Sequence, residues 1–299
     1  DWGFDADDVA DLLHRPPGNA RQRILDSMLS GPIDIDKMDY LARDSLHAGV
    51  PYGRNFDSGR LIQSLCLNQT GDRLAITDKG KTAAEMMVFA RYVMFSEVYW
   101  HHAVRAATAM LQRAFFDLKE ALDLSSLFEM TDQPMIDALR QCAAATDRGA
   151  DALLDGLFGE ARQLYKRVGQ YSLFQQRELY EQLARRPYPW LRQLSEELAL
   201  RFSKLLSLPI ASHELLIDAP PAALEVQFKI VVYFLKESRY RGLGDVSPVV
   251  RALAEQQFDD FVKRVRLIVH PRLAEDLRGR DDVANVIAAA IKAVEVHAA

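Results

Sequence analysis

Asp36, Lys37, Tyr40 and Asp44 place two carboxylates, an ammonium and a phenol in one short run, Gly31 to Asp57, reading GPIDIDKMDYLARDSLHAGVPYGRNFD. A carboxylate is a hard oxygen ligand for a divalent cation, an ammonium is a point charge for phosphate oxygens, and a tyrosine can contact a sugar or a base. Together they suit a metal-bound polyphosphate. A solvated, salt-bridged helix face meets the same pattern, and on pattern alone the two readings stand level.

The element that must carry these groups is a helix from about Asp34 to Leu46. Pro32 fits its entry, where a missing N–H costs little, and Asp34 or Asp36 suits the positive end of its dipole. Gly49 stops it as a residue that readily turns left-handed. At about 100° per residue, Asp36, Tyr40, Arg43 and His47 share one stripe. Lys37 and Asp44 lie on one shoulder and Asp39 on the other, while Met38, Leu41 and Ala42 lie opposite and can pack. Apolar stripes face cores, and solvated faces favour long Glu/Lys pairs, so a stripe of Asp, Tyr and His is unusual.

The ordered run IDIDKMDYLARDSLHAGVPYG, followed by FD and RLI, resembles the HD-domain phosphohydrolases, and most closely their deoxynucleoside triphosphate triphosphohydrolase branch. The resemblance covers roughly Gly31 to Arg105 well and the rest loosely. It implies Asp36 as the last ligand of a divalent metal, Lys37 on phosphate, and Tyr40 and Asp44 on deoxyribose. It further implies that Arg91 binds the triphosphate and that Tyr99, two turns on, lies against the sugar. The family position between these two, often histidine, is Phe95 here. The implied reaction releases nucleoside and tripolyphosphate. The implied metal is Mg, Mn, Fe, Ni or Zn, and the implied assembly is a homo-oligomer.

One departure is large. The family's H…HD set supplies the other metal ligands upstream of the D-x-D-K run. Here only His14 precedes that run, and none of the seven histidines is followed by Asp. The expectation is that those ligands lie outside this chain, so no catalytic residue is assigned within it. The alternative is a non-catalytic nucleotide-binding or scaffold module that lacks the metal site.

Composition narrows the remaining classes. Hydrophobic residues make up 49% and charged residues 26%, ordinary for a folded chain. No run approaches the ~18 apolar residues of a membrane helix. The net charge of −5 argues against general nucleic-acid binding, though not against a local basic pocket. Cys66 and Cys142 have no metal or redox spacing, so buried free thiols in a reducing cytoplasm are expected.

Along the chain, helices are expected over about Asp5–Leu13, Asn19–Ser30 and Ser58–Leu65, the last with Asp57 as its cap. A hairpin follows, Leu65–Asn68 with Arg73–Thr77. Lys81–Phe116 reads as one long helix whose stripe holds Arg91, Phe95, Tyr99 and His102. Taken alone, that stripe is a core face with Arg91 snorkelling and His102 hydrogen-bonded. His101 and His102, as adjacent helical residues, would point about 100° apart and not chelate together. Helices with turns continue to Ala152, and Leu153–Leu206 reads as mostly helical. Its Arg and Glu residues interleave as a salt-bridged surface; family members with an anionic nucleotide site between subunits offer a functional option for it. Beyond Pro209, HELLIDAPPA, QFKIVVYFL and VRLIVHP read as strands, with a helix capped by Ser247-Pro248 and a terminal helix over Asp281–Val296.

The fold class is therefore mainly α. Residues 1–125 would form the C-terminal portion of an HD-type core, 126–208 a helical extension, and 209–299 a small α+β lobe.

Overall fold

Asn19, Asp34 and Asp57 each close the amide end of a helix, because a short polar side chain can accept the N–H groups that a first turn leaves without partners. The computed structural model describes residues 5–14, 18–221, 229–255 and 262–298. In it Asn19 accepts from the Gln22 amide, Asp34 from Lys37 and Asp57 from Arg60, at 2.8–2.9 Å. The helices so started are α2 (Ala20–Ser30), α3 (Ile35–His47) and α4 (Ser58–Gln63), after α1 (Ala6–His14). Gly49 sits at φ +69°, the left-handed stop that α3 needs.

In chain order there follow β1 (Leu65–Leu67), β2 (Leu74–Thr77), α5 (Lys81–Met94), α6 (His102–Leu118), α7 (Leu124–Phe128), α8 (Asp132–Thr146) and α9 (Arg148–Phe158). Next come β3 (Lys166–Tyr171), α10 (Arg177–Leu183), α11 (Tyr188–Leu206), β4 (Leu215–Asp218), β5 (Val231–Phe234), β6 (Arg239–Gly242) and α12 (Leu243–Val246). The last are α13 (Pro248–Glu255), β7 (Val265–Val269), α14 (Ala274–Leu277) and α15 (Val283–Ala298). The fold is mainly α with small sheets.

The chain groups into two units. One is built from the described residues of 1–99 and 224–262, the other from those of 100–223 and 263–299. This division does not follow the expected boundaries at 125 and 208. The strands expected to form one C-terminal lobe are shared out between the two units.

In the first unit, β1 and β2 form the expected hairpin. β2 then pairs in parallel with β5, Ile76 opposite Val232, and β5 pairs antiparallel with β6. Ile33, Leu41, Leu61, Ile76, Met87 and Val232 meet in one buried cluster beneath that sheet. Ser247 caps α13 by accepting from the Val250 amide, and Pro248 is its first residue, as expected. The end expected for that helix lies outside the described residues.

In the second unit, β7 lies between β3 and β4, antiparallel to both. Its side chains alternate between two apolar clusters: Val265, Leu267 and Val269 join one, Ile268 the other. A sheet covered on both faces explains why VRLIV is an unbroken apolar run rather than an alternating one. On the α6 face, Arg105 and the buried Arg266 converge on buried Asp218 at 3.1 and 3.5 Å. Arg192–Glu196 and Arg201–Glu197 form the expected pairs one turn apart on α11.

Several expectations are corrected. Lys81–Phe116 is not one helix: α5 ends in a π-helical turn over Phe95–Tyr99, the chain turns at Trp100 and His101, and α6 begins anew. The Trp100 carbonyl accepts from Arg266 Nη2 at 2.7 Å and the Trp100 ring carries the Arg105 guanidinium at 4.2 Å, contacts that outweigh continuous helix propensity. His102 consequently leaves the Arg91 stripe and is exposed. His101 caps α6 from a non-helical backbone, so the two imidazoles lie 4.2 Å apart rather than diverging. Lys166–Tyr171, expected to be helical, is the edge strand β3. Cys66 and Cys142 are free, as expected, but only half-buried.

Candidate functional site

Asp34 does more than cap α3. One carboxylate oxygen takes the Lys37 amide at 2.8 Å and the other takes Lys37 Nζ at 2.5 Å, with Asp34 only 2% exposed. Lys37 Nζ also donates to the Gly31 carbonyl at 3.0 Å. Two of the ammonium's three donors are thus committed and the third remains for a ligand. Asp34→Ala removes the cap and the clamp together. It is expected to cost about 1–2 kcal/mol, read as a lower urea midpoint at unchanged slope.

Arg91, from the buried face of α5, joins the two sides of the site. Its guanidinium donates to the Tyr40 oxygen and sits over the Phe95 ring, 5.5 Å from the centroid. Tyr99, delivered by the π-helical turn, donates its hydroxyl to Asp44 at 2.8 Å. Its ring meets Tyr40 edge-on at 6.1 Å and Phe95 at 5.1 Å. Burial pushes both phenols above their ordinary pKa. The Asp44 carboxylate raises Tyr99 further, whereas Arg91 partly offsets the rise at Tyr40. Both therefore stay neutral donors at physiological pH.

The structure brings five of the six residues singled out from sequence into one network or its adjoining cavity: Lys37, Tyr40, Asp44, Arg91 and Tyr99. Asp36 is exposed in the first turn of α3, and its charge reaches Tyr40. Among the described residues no three His, Cys, Asp or Glu come together as a metal set. Asp36 offers one ligand, and one ligand does not hold a metal. The rest of the predicted stripe is solvated: Arg43 pairs with Asp39 at 2.9 Å with both exposed, and His47 is exposed at the helix end. The two readings of the helix thus divide along its surface.

Beside this network lies a cavity of about 630 Å³. Among the described residues its lining cations are Lys37, Arg73, Arg91 and Lys229, and no carboxylate lines it. Such a lining favours an anion by charge and by hydrogen bonding. Arg73 and Lys229 were not anticipated. Arg73 stands in a hairpin where a cation is unremarkable, and Lys229 reaches the cavity with the help of the parallel pairing of β5 with β2. No local signal marks either.

Residues 56–276 match the family model described as the HD associated region, well over half of the chain. An uncharacterized protein of Methanocaldococcus jannaschii is 28% identical over 242 residues, covering 78% of this chain and 48% of that protein. The chain thus spans about half the length of this curated relative. Two solved structures share the fold. A hypothetical protein from Aquifex aeolicus has a TM-score of 0.59 at 20% identity, covering 92% of this chain and 65% of that one. A phosphohydrolase from Bacteroides thetaiotaomicron has a TM-score of 0.58 at 21% identity, covering 88% and 67%. Among the described residues no helix is long and apolar enough to cross a membrane. With the family model spanning α4, both sheets and α11, the chain belongs to the HD-associated-region family, and with it to the HD superfamily.

Proposed function

We propose that this chain carries the substrate side of an HD-type phosphohydrolase and binds a deoxynucleoside triphosphate, which is released as nucleoside and tripolyphosphate. The observation that carries the reading is the cationic cavity of Lys37, Arg73, Arg91 and Lys229, joined through Arg91 to the Tyr40–Tyr99–Asp44 network. Phosphates and sugar need such neighbouring surfaces of opposite character. Lys37 and Arg91 take phosphate oxygens and offset the charge that builds as the α-phosphorus bond to the 5′ oxygen breaks. Water supplies the new oxygen on phosphorus, and its proton leaves with the nucleoside hydroxyl. Asp44 accepts from the sugar, oriented by the Tyr99 hydroxyl. The Tyr99 ring crowds C2′, so a ribose hydroxyl has no room.

A divalent ion belongs to the proposal, with Asp36 as one ligand and the others outside this chain. Homo-oligomerisation and a cytoplasmic location belong to it as well. The named phosphohydrolase neighbour agrees with the reaction class.

The test is metal content and tripolyphosphate release over a panel of deoxynucleotides and ribonucleotides, made on the full-length gene product. Metal-dependent release of tripolyphosphate from deoxynucleotides is the expected result. Nucleotide binding with neither metal nor turnover would replace the enzyme by a binding module. In the active protein, Tyr99→Ala is expected to relax the preference for deoxynucleotides at least tenfold, while Tyr99→Phe, which keeps the ring, retains it. An unchanged preference in Tyr99→Ala would remove Tyr99 from specificity.

A further inference from the structure

We infer that Arg73 and Lys229 bind the distal phosphates of the ligand, so that the cavity selects for a polyphosphate tail rather than a single phosphate. This rests on the reading above.

The four cations of the cavity fall into two kinds. Lys37 and Arg91 are fixed: Lys37 by Asp34 and Gly31, Arg91 by Tyr40 and the Phe95 ring. Arg73 and Lys229 have rigid backbones and loosely held charges. The hairpin turn before Arg73 is pinned by Asn68, whose side-chain oxygen Oδ1 takes the Asp72 and Arg73 amides at 3.0 and 3.2 Å. The Asp72 carboxylate in turn takes Arg23 at 2.8 Å, tying the turn to α2. The Arg73 guanidinium, in contrast, is exposed and has only the half-buried Asp26 near it, at 3.7 Å, beyond hydrogen-bond distance. Lys229 precedes buried Ile230, whose carbonyl accepts from the Leu243 amide at 2.7 Å, and Val232 is locked opposite Ile76. Its ammonium forms no ion pair among the described residues.

This difference gives the site a direction. Arg91 touches the Tyr40–Tyr99–Asp44 network, so the phosphate next to the sugar lies at the fixed cations. The chain of phosphates then runs into the cavity toward Arg73 and Lys229. About 630 Å³ lies within the roughly 300–1,000 Å³ of small-ligand pockets and leaves room beyond one phosphate. Among the described residues no carboxylate lines the cavity, and these two cations have only Asp26, at 3.7 Å from Arg73, to offset them. Against a tail of several negative charges they gain two charge-assisted contacts.

The experiment is calorimetric titration of the full-length protein at fixed ionic strength with inorganic tripolyphosphate, a deoxynucleoside triphosphate and the matching monophosphate. Arg73→Gln and Lys229→Gln are each expected to weaken tripolyphosphate and triphosphate binding roughly tenfold, about 1.4 kcal/mol, and to leave monophosphate binding within twofold. Both side chains are solvent-accessible, so folding is preserved, checked by an unchanged melting temperature. Equal weakening of mono- and triphosphate would overturn the inference, because it would mean general attraction rather than recognition of the tail. Lys37→Gln and Arg91→Gln separate this inference from the reading beneath it. If they abolish tripolyphosphate binding while Arg73→Gln and Lys229→Gln change nothing, the substrate reading stands and this inference falls. If none of the four matters, or the unaltered protein binds no tripolyphosphate, both fall.

Discussion

Arg91→Ala is expected to lower kcat/KM for a deoxynucleoside triphosphate by about 10²–10³-fold, the loss typical of a preorganised donor aimed at developing charge. Arg91 is 9% exposed and its plane is held from two sides, by the Tyr40 oxygen and the Phe95 ring. A guanidinium already ordered and largely dehydrated loses little on meeting a phosphate, so its contact is worth more than that of an exposed cation. Its removal also leaves Tyr40 without the donor that orients it, which loosens the ring pair with Tyr99. Two further variants separate charge from shape. Arg91→Lys keeps the charge but not the planar fork and is expected to fall between wild type and alanine. Arg91→Met keeps most of the volume without charge and is expected to match alanine in kcat/KM while melting closer to wild type. A kcat/KM for Arg91→Ala within threefold of wild type, with the protein folded, would show that the guanidinium only fills the core.

What the sequence made legible was local. The caps at Asn19, Asp34 and Asp57 work through contacts three residues away, and the β1–β2 hairpin closes through its own turn at Asn68 and Asp72. The candidate site residues could be named because they follow a long ordered motif on α3 and a fixed spacing from Arg91 to Tyr99. Long-range pairings left no local trace. β2 meets β5 in parallel across about half of the chain's length, and that contact helps to carry Lys229 to the cavity. β3 was missed because KRVGQY, an edge strand with its first residues exposed, lacks the apolar pattern that marks buried strands. The break at Trp100 was invisible because its cause, Arg266, lies far along the sequence. Asp34, read as a helix-end charge, proved to be the anchor of Lys37, a role set by burial rather than residue type.

Gly53→Ala is expected to be the most damaging single methyl in the first unit, costing about 3 kcal/mol or more, the upper end of overpacking effects. Gly53 is buried in the short turn Tyr52–Arg54, which lies on the middle of α3. Its amide donates to Ser45 Oγ at 3.3 Å, and that hydroxyl donates on to the Val50 carbonyl at 2.5 Å. A Cβ built there would stand 1.9 Å from the Leu41 carbonyl oxygen and 2.7 Å from its carbon. Those are backbone atoms inside a helix and no rotamer change can relieve the clash, so the turn must lift or α3 must shift. Leu41 is fully buried one helical turn from both Lys37 and Asp44 and beside Tyr40 on α3. A shift of α3 therefore moves the binding groups, and KM for the nucleotide should rise along with the loss of stability. Gly49→Ala is the matched comparison, because Gly49 needs its positive φ yet has nothing within 4 Å of an added Cβ. Its cost is conformational only, roughly 1–2 kcal/mol. In a thermal melt Gly53→Ala should fall by roughly 6–12 °C and Gly49→Ala by about one third to two thirds as much, with KM raised only in the former. Equal melting shifts would mean that the turn yields freely and that α3 is not held in place by its contact with Gly53.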